Sequence, residues 1–298
     1  MSRHEHARRT VDRCRRRTGG ACINVARPIG GEPPHDGARR HRIGDRRMPD
    51  VARILRPVAD VALPTRRLDA WILDVDGVLL ASPHERAWRE ALHGIADPAR
   101  LTTAMYQACV AGRSRLDGAV AALTALGVLD VGRIGPAYAA AKQRRLEEIF
   151  AMEGVVAFPD ALRLVRRLRA AGWPIAAASS SRNAESMMRT VALDPGGTLF
   201  DAFSVIVCGR NLSHGKPDPE IFLLAAAELG VDRTRCIVVE DAPAGIAAAL
   251  AGGMATLGVA RVDDADGLRA AGAERVVASL DEVIIPKRAT STTHRPAA

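Results

Sequence analysis

The sequence predicts an α/β fold: a parallel sheet with helices on both faces, interrupted after its first strand by an all-helical insert. Three observations carry this. The run Trp71-Ile72-Leu73-Asp74-Val75-Asp76-Gly77-Val78-Leu79 reads as a buried strand that ends in two carboxylates and a glycine turn. From Pro159 onward, helical and strand patterns alternate, as they do when parallel strands are joined by helices. Between these regions, from about Pro83 to Gly154, the chain is rich in Ala, Leu, Arg and Glu, with apolar residues at helical spacing and no clear strand.

In chain order, the first strand is followed by helical faces such as Ala87, Trp88, Ala91 and Leu92, and later Leu146, Ile149 and Phe150. A helix over 160–171 stops at Gly172, and a strand follows at 174–178. Then come a helix over 183–192, a strand at 203–207, a helix over 219–229 and a strand at 235–239. A helix over 243–251 and a strand at 255–259 complete the main alternation. The stretch 266–285 reads as two short helices around a strand at 275–277. These elements divide the chain into a core at 69–82 and 155–285, a helical insert at 83–154, an N-terminal extension at 48–68 and a frayed tail at 286–298.

The 298 residues suggest roughly two domains, and 48% hydrophobic content is ample for a buried core. No apolar run approaches the roughly 18 residues of a membrane span. The net charge of +8 is unevenly spread. Residues 1–67 hold 17 Arg and 7 acidic residues, so the rest is close to neutral, with 25 basic and 27 acidic residues. The basic pI therefore belongs to the tail and is poor grounds for a nucleic-acid-binding core. Residues 1–47 mix Arg, Gly, Pro and His without periodicity and are expected to be disordered. A transit peptide, a nucleic-acid arm and an untranslated stretch upstream of Met48 all fit that composition. Cys14, Cys22, Cys109, Cys208 and Cys236 show no metal-ligand spacing, which suits reduced thiols of a cytoplasmic protein.

Four constellations fall at predicted strand ends, where open α/β sheets place their ligands. Asp74 and Asp76 are the first, although an ordinary Asp-Gly turn would satisfy the same pattern. The second is Ser179-Ser180-Ser181-Arg182-Asn183, whose hydroxyls, helix-start N–H groups and guanidinium suit an anion; a plain Ser/Asn helix cap is the alternative. In the third, Lys216 sits between Gly215 and Pro217. Only three of the 42 basic residues are lysines, Lys142, Lys216 and Lys287, so a retained lysine suggests a need for a compact charge, against a solvated lysine in a turn. The fourth is Glu240-Asp241, two hard oxygen donors suited to Mg²⁺, with Asp241 as an ordinary N-cap as the alternative. Four carboxylates brought together would repel unless a cation sat among them.

The ordered set Asp74-x-Asp76, Ser179, Lys216 and Glu240-Asp241 resembles the haloacid dehalogenase superfamily, over about residues 69–285. The insert resembles its helical cap, and the nearest likeness is to the β-phosphoglucomutase subfamily. His84-Glu85-Arg86-Ala87-Trp88 is similar to that subfamily's His-x-Arg-Ala-Trp. Gly112-Arg113-Ser114-Arg115-Leu116-Asp117 is similar to the loop carrying its phosphate-binding arginine, here Arg115, and Lys142 falls where a cap lysine faces the active site. Two departures stand out: Leu80-Ala81-Ser82-Pro83 is about two residues shorter than the family's hinge, and Arg182 replaces a lysine.

The resemblance implies a Rossmann-like core with an inserted helical cap, and a monomeric, Mg²⁺-dependent enzyme of small sugar phosphates. Asp74 would be the nucleophile and Asp76 the general acid and base. Mg²⁺ would be held by Asp74, the carbonyl of Asp76 and Asp241, with Glu240 in support. Ser179 and Lys216 would neutralise the transferring phosphoryl group. Arg115, Ser181, Arg182 and Asn183 would grip a second phosphate, and His84 would couple cap closure to Asp76. The implied reaction is β-glucose 1-phosphate to glucose 6-phosphate, with sugar-phosphate hydrolysis as the alternative. No nucleic-acid or membrane partner is implied. A basic-tailed binding protein on an inactive enzyme fold is the reading from another class.

Overall fold

The computed structural model describes residues 61–64, 66–262 and 264–286, all within one compact unit. The readings of residues 1–47 as a disordered tail, of 48–60 as part of the extension and of 287–298 as a tail lie outside the described residues. Six parallel strands form one sheet: β1 (Ala70–Leu73), β2 (Ile175–Ser179), β3 (Val205–Cys208), β4 (Cys236–Glu240), β5 (Ala255–Val259) and β6 (Arg275–Val277). Their order in the sheet is β3-β2-β1-β4-β5-β6. β1 pairs with both β2 and β4, so successive connections run away from it in opposite directions. The crevice at the carboxyl ends of β1 and β4 is the topological switch point, where such sheets bind ligands.

Side-chain alternation builds two cores from one set of strands. Trp71, Leu73, Ile175, Ala177, Ile237 and Val239 face one side, packed with Leu164 and Leu168 of α5 (Pro159–Ala170) and Met187 and Met188 of α6 (Ala184–Thr190). Ile72, Ala176, Ala178 and Val238 face the other, against Phe222 and Ala225 of α7 (Glu220–Leu229) and Ala248 of α8 (Pro243–Ala251). Every residue of β1 is buried, as expected of a strand covered on both faces. A last short helix, α9 (Ala265–Ala270), precedes β6.

The insert is helical: α1 (His84–Glu90), α2 (Thr103–Cys109), α3 (Arg115–Ala125) and α4 (Val131–Glu153), with one 3₁₀ turn at Pro98–Arg100. It has its own apolar cluster, including Trp88, Leu92, Leu123 and Tyr138. The buried Tyr138 hydroxyl finds a partner by donating to the Trp88 carbonyl at 2.8 Å. The segment leaves and re-enters the core side by side. Leu80 bridges Ala157 in antiparallel fashion, Ala81 N–H donates to the Val156 carbonyl at 2.8 Å, and Phe158 N–H donates to the Leu79 carbonyl at 3.0 Å.

Several sequence boundaries move. The helix expected at 183–192 stops at Thr190, because Val191 turns extended and Ala192 bridges Thr198 around a Pro-Gly-Gly turn. The strand expected at 203–207 starts two residues later, after a 3₁₀ turn at Phe200–Ala202. The second short helix of 266–285 is a 3₁₀ turn, Leu280–Glu282, closed by a Ser279/Glu282 capping box. Residues 61–68, read as part of an extension, contribute to the core: Leu63 and Leu68 are buried in it and Val61 pairs with Val283. Among the described residues no helix is long and apolar enough to cross a membrane.

Candidate active site

The four strand-end constellations converge. Asp74 and Asp76 follow β1, Ser179 ends β2, and Glu240 and Asp241 close β4. At their carboxyl ends lies a cavity of about 840 Å³ whose wall includes Asp74, Asp76, Ser179 and Asp241 from the core, and His84, Arg115 and Lys142 from the helical insert. Gly77 permits the convergence. Its φ of +87° is one that side chains disfavour, and a Cβ there would lie 1.9 Å from the Asp241 Oδ2.

Lys216 is no solvated turn residue. It is 2% exposed, and its ammonium donates to Asp74 Oδ1 at 2.5 Å and to Glu240 Oε1. Burial opposes its charge, but these two carboxylates outweigh burial and hold its pKa above the usual lysine range. Glu240 faces inward: its Oε2 accepts the N–H groups of Asp241 and Ala242, both at 2.9 Å. Gly245 leaves room for it, since a Cβ there would fall 1.8 Å from Glu240 Oε1. Glu240 is absent from the cavity wall and Asp241 is part of it. The N-cap alternative for Asp241 fails, because α8 takes Ala242 at that position and has no side-chain cap.

Asp76 is held by three side chains. Ser82 Oγ donates to its Oδ1 at 2.5 Å, Ser179 Oγ to its Oδ2 at 3.0 Å, and His84 Nε2 stands 3.2 Å from Oδ1. His84 Nδ1 is in turn 2.9 Å from Lys142 Nζ, which lies 5.0 Å from the centre of the Trp88 ring. Burial would raise the Asp76 carboxyl, but His84 and the two hydroxyls hold it well below the usual carboxylate range. Burial first, and then Arg115, lowers Lys142 to about 7 against the pull of Asp76.

Asp74 and Asp241 behave oppositely. Burial, reinforced by neighbouring carboxylates, pushes both above the usual range, with Lys216 working against the rise. Asp74, Asp241 and the main-chain carbonyl of Asp76 are hard oxygen donors, and one lysine does not balance the acidic groups gathered there. This donor set fits a hard divalent cation.

The Ser179–Asn183 segment is not an ordinary cap. Asn183 makes no side-chain cap to α6 and instead exchanges amide hydrogen bonds with Gln143 of α4, at 3.1 and 3.3 Å. Ser180 Oγ donates to the Gly112 carbonyl at 3.2 Å, and Ser181 Oγ accepts the Asn183 N–H at 3.2 Å. Arg182 donates to Asn211 Oδ1 at 3.1 Å. Arg115 is close enough that, after burial, Arg182 further depresses its guanidinium pKa. Both arginines belong to the cavity wall.

Sequence reading passed over Ser82, Tyr106, Gln107, Arg113, Gln143 and Arg261, all of which line the cavity. Gln107 Oε1 and Arg113 Nε are buried there without a hydrogen-bond partner among the described residues. Arg261 has a usable signal: it stands just beyond the carboxyl end of β5, where an open α/β sheet places ligands as it does after β1, β2 and β4. The others sit on helices or linkers, where spacing marks a face but not its partner.

Comparison with known proteins gives a consistent picture. Residues 68–253 match the family described as haloacid dehalogenase-like hydrolase. Hexitol phosphatase A of Escherichia coli (strain K12) is 32% identical over 230 residues, 74% of this chain and 96% of that protein. A β-phosphoglucomutase of Mycobacterium bovis is 30% identical over 243 residues, 73% of this chain and 92% of that one. Among solved structures, a β-phosphoglucomutase from Clostridium difficile is similar with a TM-score of 0.60 at 25% identity, covering 72% of this chain and 92% of the other.

Removing the buried ammonium isolates two carboxylates. Lys216→Met is expected to lower unfolding free energy by about 3–5 kcal/mol without divalent cations, the usual cost of breaking a buried ion pair from one side. Urea denaturation measures it, and a loss below about 1 kcal/mol would show that the pairs do not hold the strand ends together.

Proposed function

This chain belongs to the haloacid dehalogenase-like hydrolase family, and we propose that it is a Mg²⁺-dependent phosphoryl-transfer enzyme of small sugar phosphates, foremost a mutase converting β-glucose 1-phosphate to glucose 6-phosphate. The observation that carries this reading is that cationic groups serve two parts of one cavity. Lys216, buried behind the wall, lies against Asp74 at the strand ends, and Arg115 of the helical insert and Arg182 of the core, close enough for their charges to interact, both line the cavity. A donor with one phosphate needs the first part only. A bisphosphorylated intermediate uses both.

In this reading Asp74 attacks the phosphoryl group, an Oδ–P bond forms and the sugar oxygen leaves, splitting one transfer into two. Lys216 and Ser179 offset charge on the phosphoryl oxygens. Asp76, held ionised, takes the proton of the attacking sugar hydroxyl and returns a proton when a sugar oxygen leaves. His84 and Lys142, both on the helical insert, tie the position of Asp76 to that segment, which acts as a cap. Arg115, Arg182, Ser181 and Asn183 hold the phosphate not in transfer. Asp74, the Asp76 carbonyl and Asp241 would hold Mg²⁺, with Glu240 supporting, and the ion when bound would supply positive charge to the crowded carboxylates and phosphoryl oxygens.

Hydrolysis of sugar or hexitol phosphates is the second reading. It draws on the likeness to hexitol phosphatase A along nearly all of that protein.

Product analysis separates the two. Incubation with β-glucose 1-phosphate, Mg²⁺ and a trace of glucose 1,6-bisphosphate should yield glucose 6-phosphate; free phosphate in its place would make the enzyme a hydrolase. Arg115→Ala should reduce mutase flux by roughly 10- to 150-fold, from about 1.5–3 kcal/mol for hydrogen bonds to a charged group. Hydrolysis of acetyl phosphate, which has no second phosphate, should stay within a few-fold of the unaltered rate. Equal loss of both activities would assign Arg115 to the cap fold.

Direct and supporting carboxylates should also separate. In Mg²⁺ titrations followed by thermal shift, Asp241→Ala should weaken binding more than Glu240→Ala, since losing a group that only supports the ligands costs about 10–100-fold. Equal weakening would refute the assignment.

A further inference from the structure

Arg261 makes more fixed contacts than any role so far described requires. It follows β5, outside the four motifs, and its side chain is 13% exposed. Its planar guanidinium spends three donors on three different groups. Nε donates to the Gly77 carbonyl at 3.1 Å, Nη2 to the Val78 carbonyl at 2.9 Å and Nη1 to Asp160 Oδ2 at 2.7 Å. Its central carbon also lies 3.9 Å from the centre of the Phe158 ring. Gly77 and Val78 directly follow Asp76 in the turn that opens the outgoing linker, and Phe158 lies on the returning one. Asp160 is buried at the start of α5 and also accepts from Ser279 Oγ at 3.1 Å and the Leu280 N–H at 2.8 Å.

We propose that Arg261 is a positioning residue: anchored to β5 and α5, it fixes the turn after Asp76 together with both linkers of the helical segment, and so sets where the Asp76 carboxyl meets the substrate oxygen. This rests on the reading of Asp76 as the proton-transfer group. Arg261 offers no group to the reacting atoms; it acts through the peptide groups of Gly77 and Val78. Arginine suits the task, because a rigid fork reaches three acceptors in one plane, whereas lysine is a point charge on a flexible stem. A shift of about 1 Å in a positioned group can cost around a hundredfold in rate.

The leaving group of the substrate tests the idea. When Asp74 attacks acetyl phosphate, the P–O bond breaks to acetate, which needs no proton; the aspartyl phosphate then passes to water in a second step common to both donors, so the donors are compared in the first step alone, by single-turnover release of acetate or of the sugar alcohol. When it attacks a sugar phosphate, the departing alkoxide takes its proton from Asp76. Full-length Arg261→Met and Arg261→Lys enzymes are compared with the unaltered chain on acetyl phosphate and on a panel of hexose and hexitol phosphates, with Asp76→Asn in parallel and urea midpoints for each. The expected result is a fall of roughly 10- to 100-fold in the single-turnover rate of alcohol release from the sugar phosphates, with KM and the single-turnover rate of acetate release changed by less than about threefold. Arg261→Lys keeps a cation beside Asp160, so it should recover stability relative to Arg261→Met without recovering the sugar-phosphate rate. Equal loss on both donors, no loss on either, or full rescue by lysine would overturn the proposal. Should Asp76→Asn itself fall equally on both donors, the proton-transfer reading of Asp76 fails, and this inference with it.

Discussion

A single buried ammonium group sets the charge balance on which the strand ends depend. Lys216 lies between Asp74 and Glu240, which close adjacent strands of the sheet. An uncompensated carboxylate in such a place would be costly, and the pairing tolerates it only because hydrogen bonds complete the geometry. Glu240 spends its second oxygen on two backbone N–H groups at the start of α8, so it serves as the fixed wall behind Lys216. Asp241, one residue later, is left to face the cavity. Two glycines make this packing feasible: Gly77 admits the Asp241 carboxylate and Gly245 admits that of Glu240.

The place where the helical segment joins the core ties it to this charge cluster. The outgoing linker begins in the turn after Asp76, and the returning linker pairs with it before entering α5. Motion of the helices therefore acts through the backbone that carries Asp76. Side chains make the same connection from the other direction, through His84 on Asp76, Gln143 on Asn183 and Ser180 on the Gly112 carbonyl. Lys142 adds a second buried amine, whose burial brings its pKa down to about 7, 2.9 Å from His84 Nδ1 and 5.0 Å from the centre of the Trp88 ring.

Much of this was legible in the sequence because strand ends are marked locally. Apolar runs that stop at Asp74, Ser179 and Glu240 each announce a buried strand followed by polar side chains, and a parallel sheet brings its carboxyl ends together. Lys216 drew notice for a different reason, its rarity among arginines, and it is buried against two carboxylates where a solvated turn was the alternative. What stayed hidden depends on partners far away in the chain. Nothing near Gln143 signals Asn183, and nothing near Arg261 signals the carbonyls of Gly77 and Val78, because backbone acceptors have no identity in a sequence. Glu240 and Asp241 look equivalent when read in a row. Only the fold separates the inward carboxylate from the one in the cavity wall. The linker was readable as a short hinge, but not that its Ser82 would bond Asp76.

The distribution of charge within the cavity also bears on how mutase and hydrolase differ physically. On the proposed reading both need the acidic floor with its lysine, since both would accept a phosphoryl group on Asp74. They part over what holds the rest of the substrate while that happens. A hydrolase gains by releasing its product alcohol and admitting water. A mutase must retain a doubly phosphorylated sugar while it turns over, so it needs a grip that is indifferent to which phosphate it holds. A pair of guanidiniums suits that demand: it recognises phosphate oxygens by charge and fork geometry, not by the sugar carbon that bears them. In this chain Arg182 is held by Asn211, whereas Arg115 stands at the start of α3 and has Arg182 as a repelling neighbour. An anion between them would relieve that repulsion and draw the helical segment toward the core at the same time. The closure that excludes water would then be driven by the second phosphate, and a substrate lacking one would leave the cavity more open to hydrolysis.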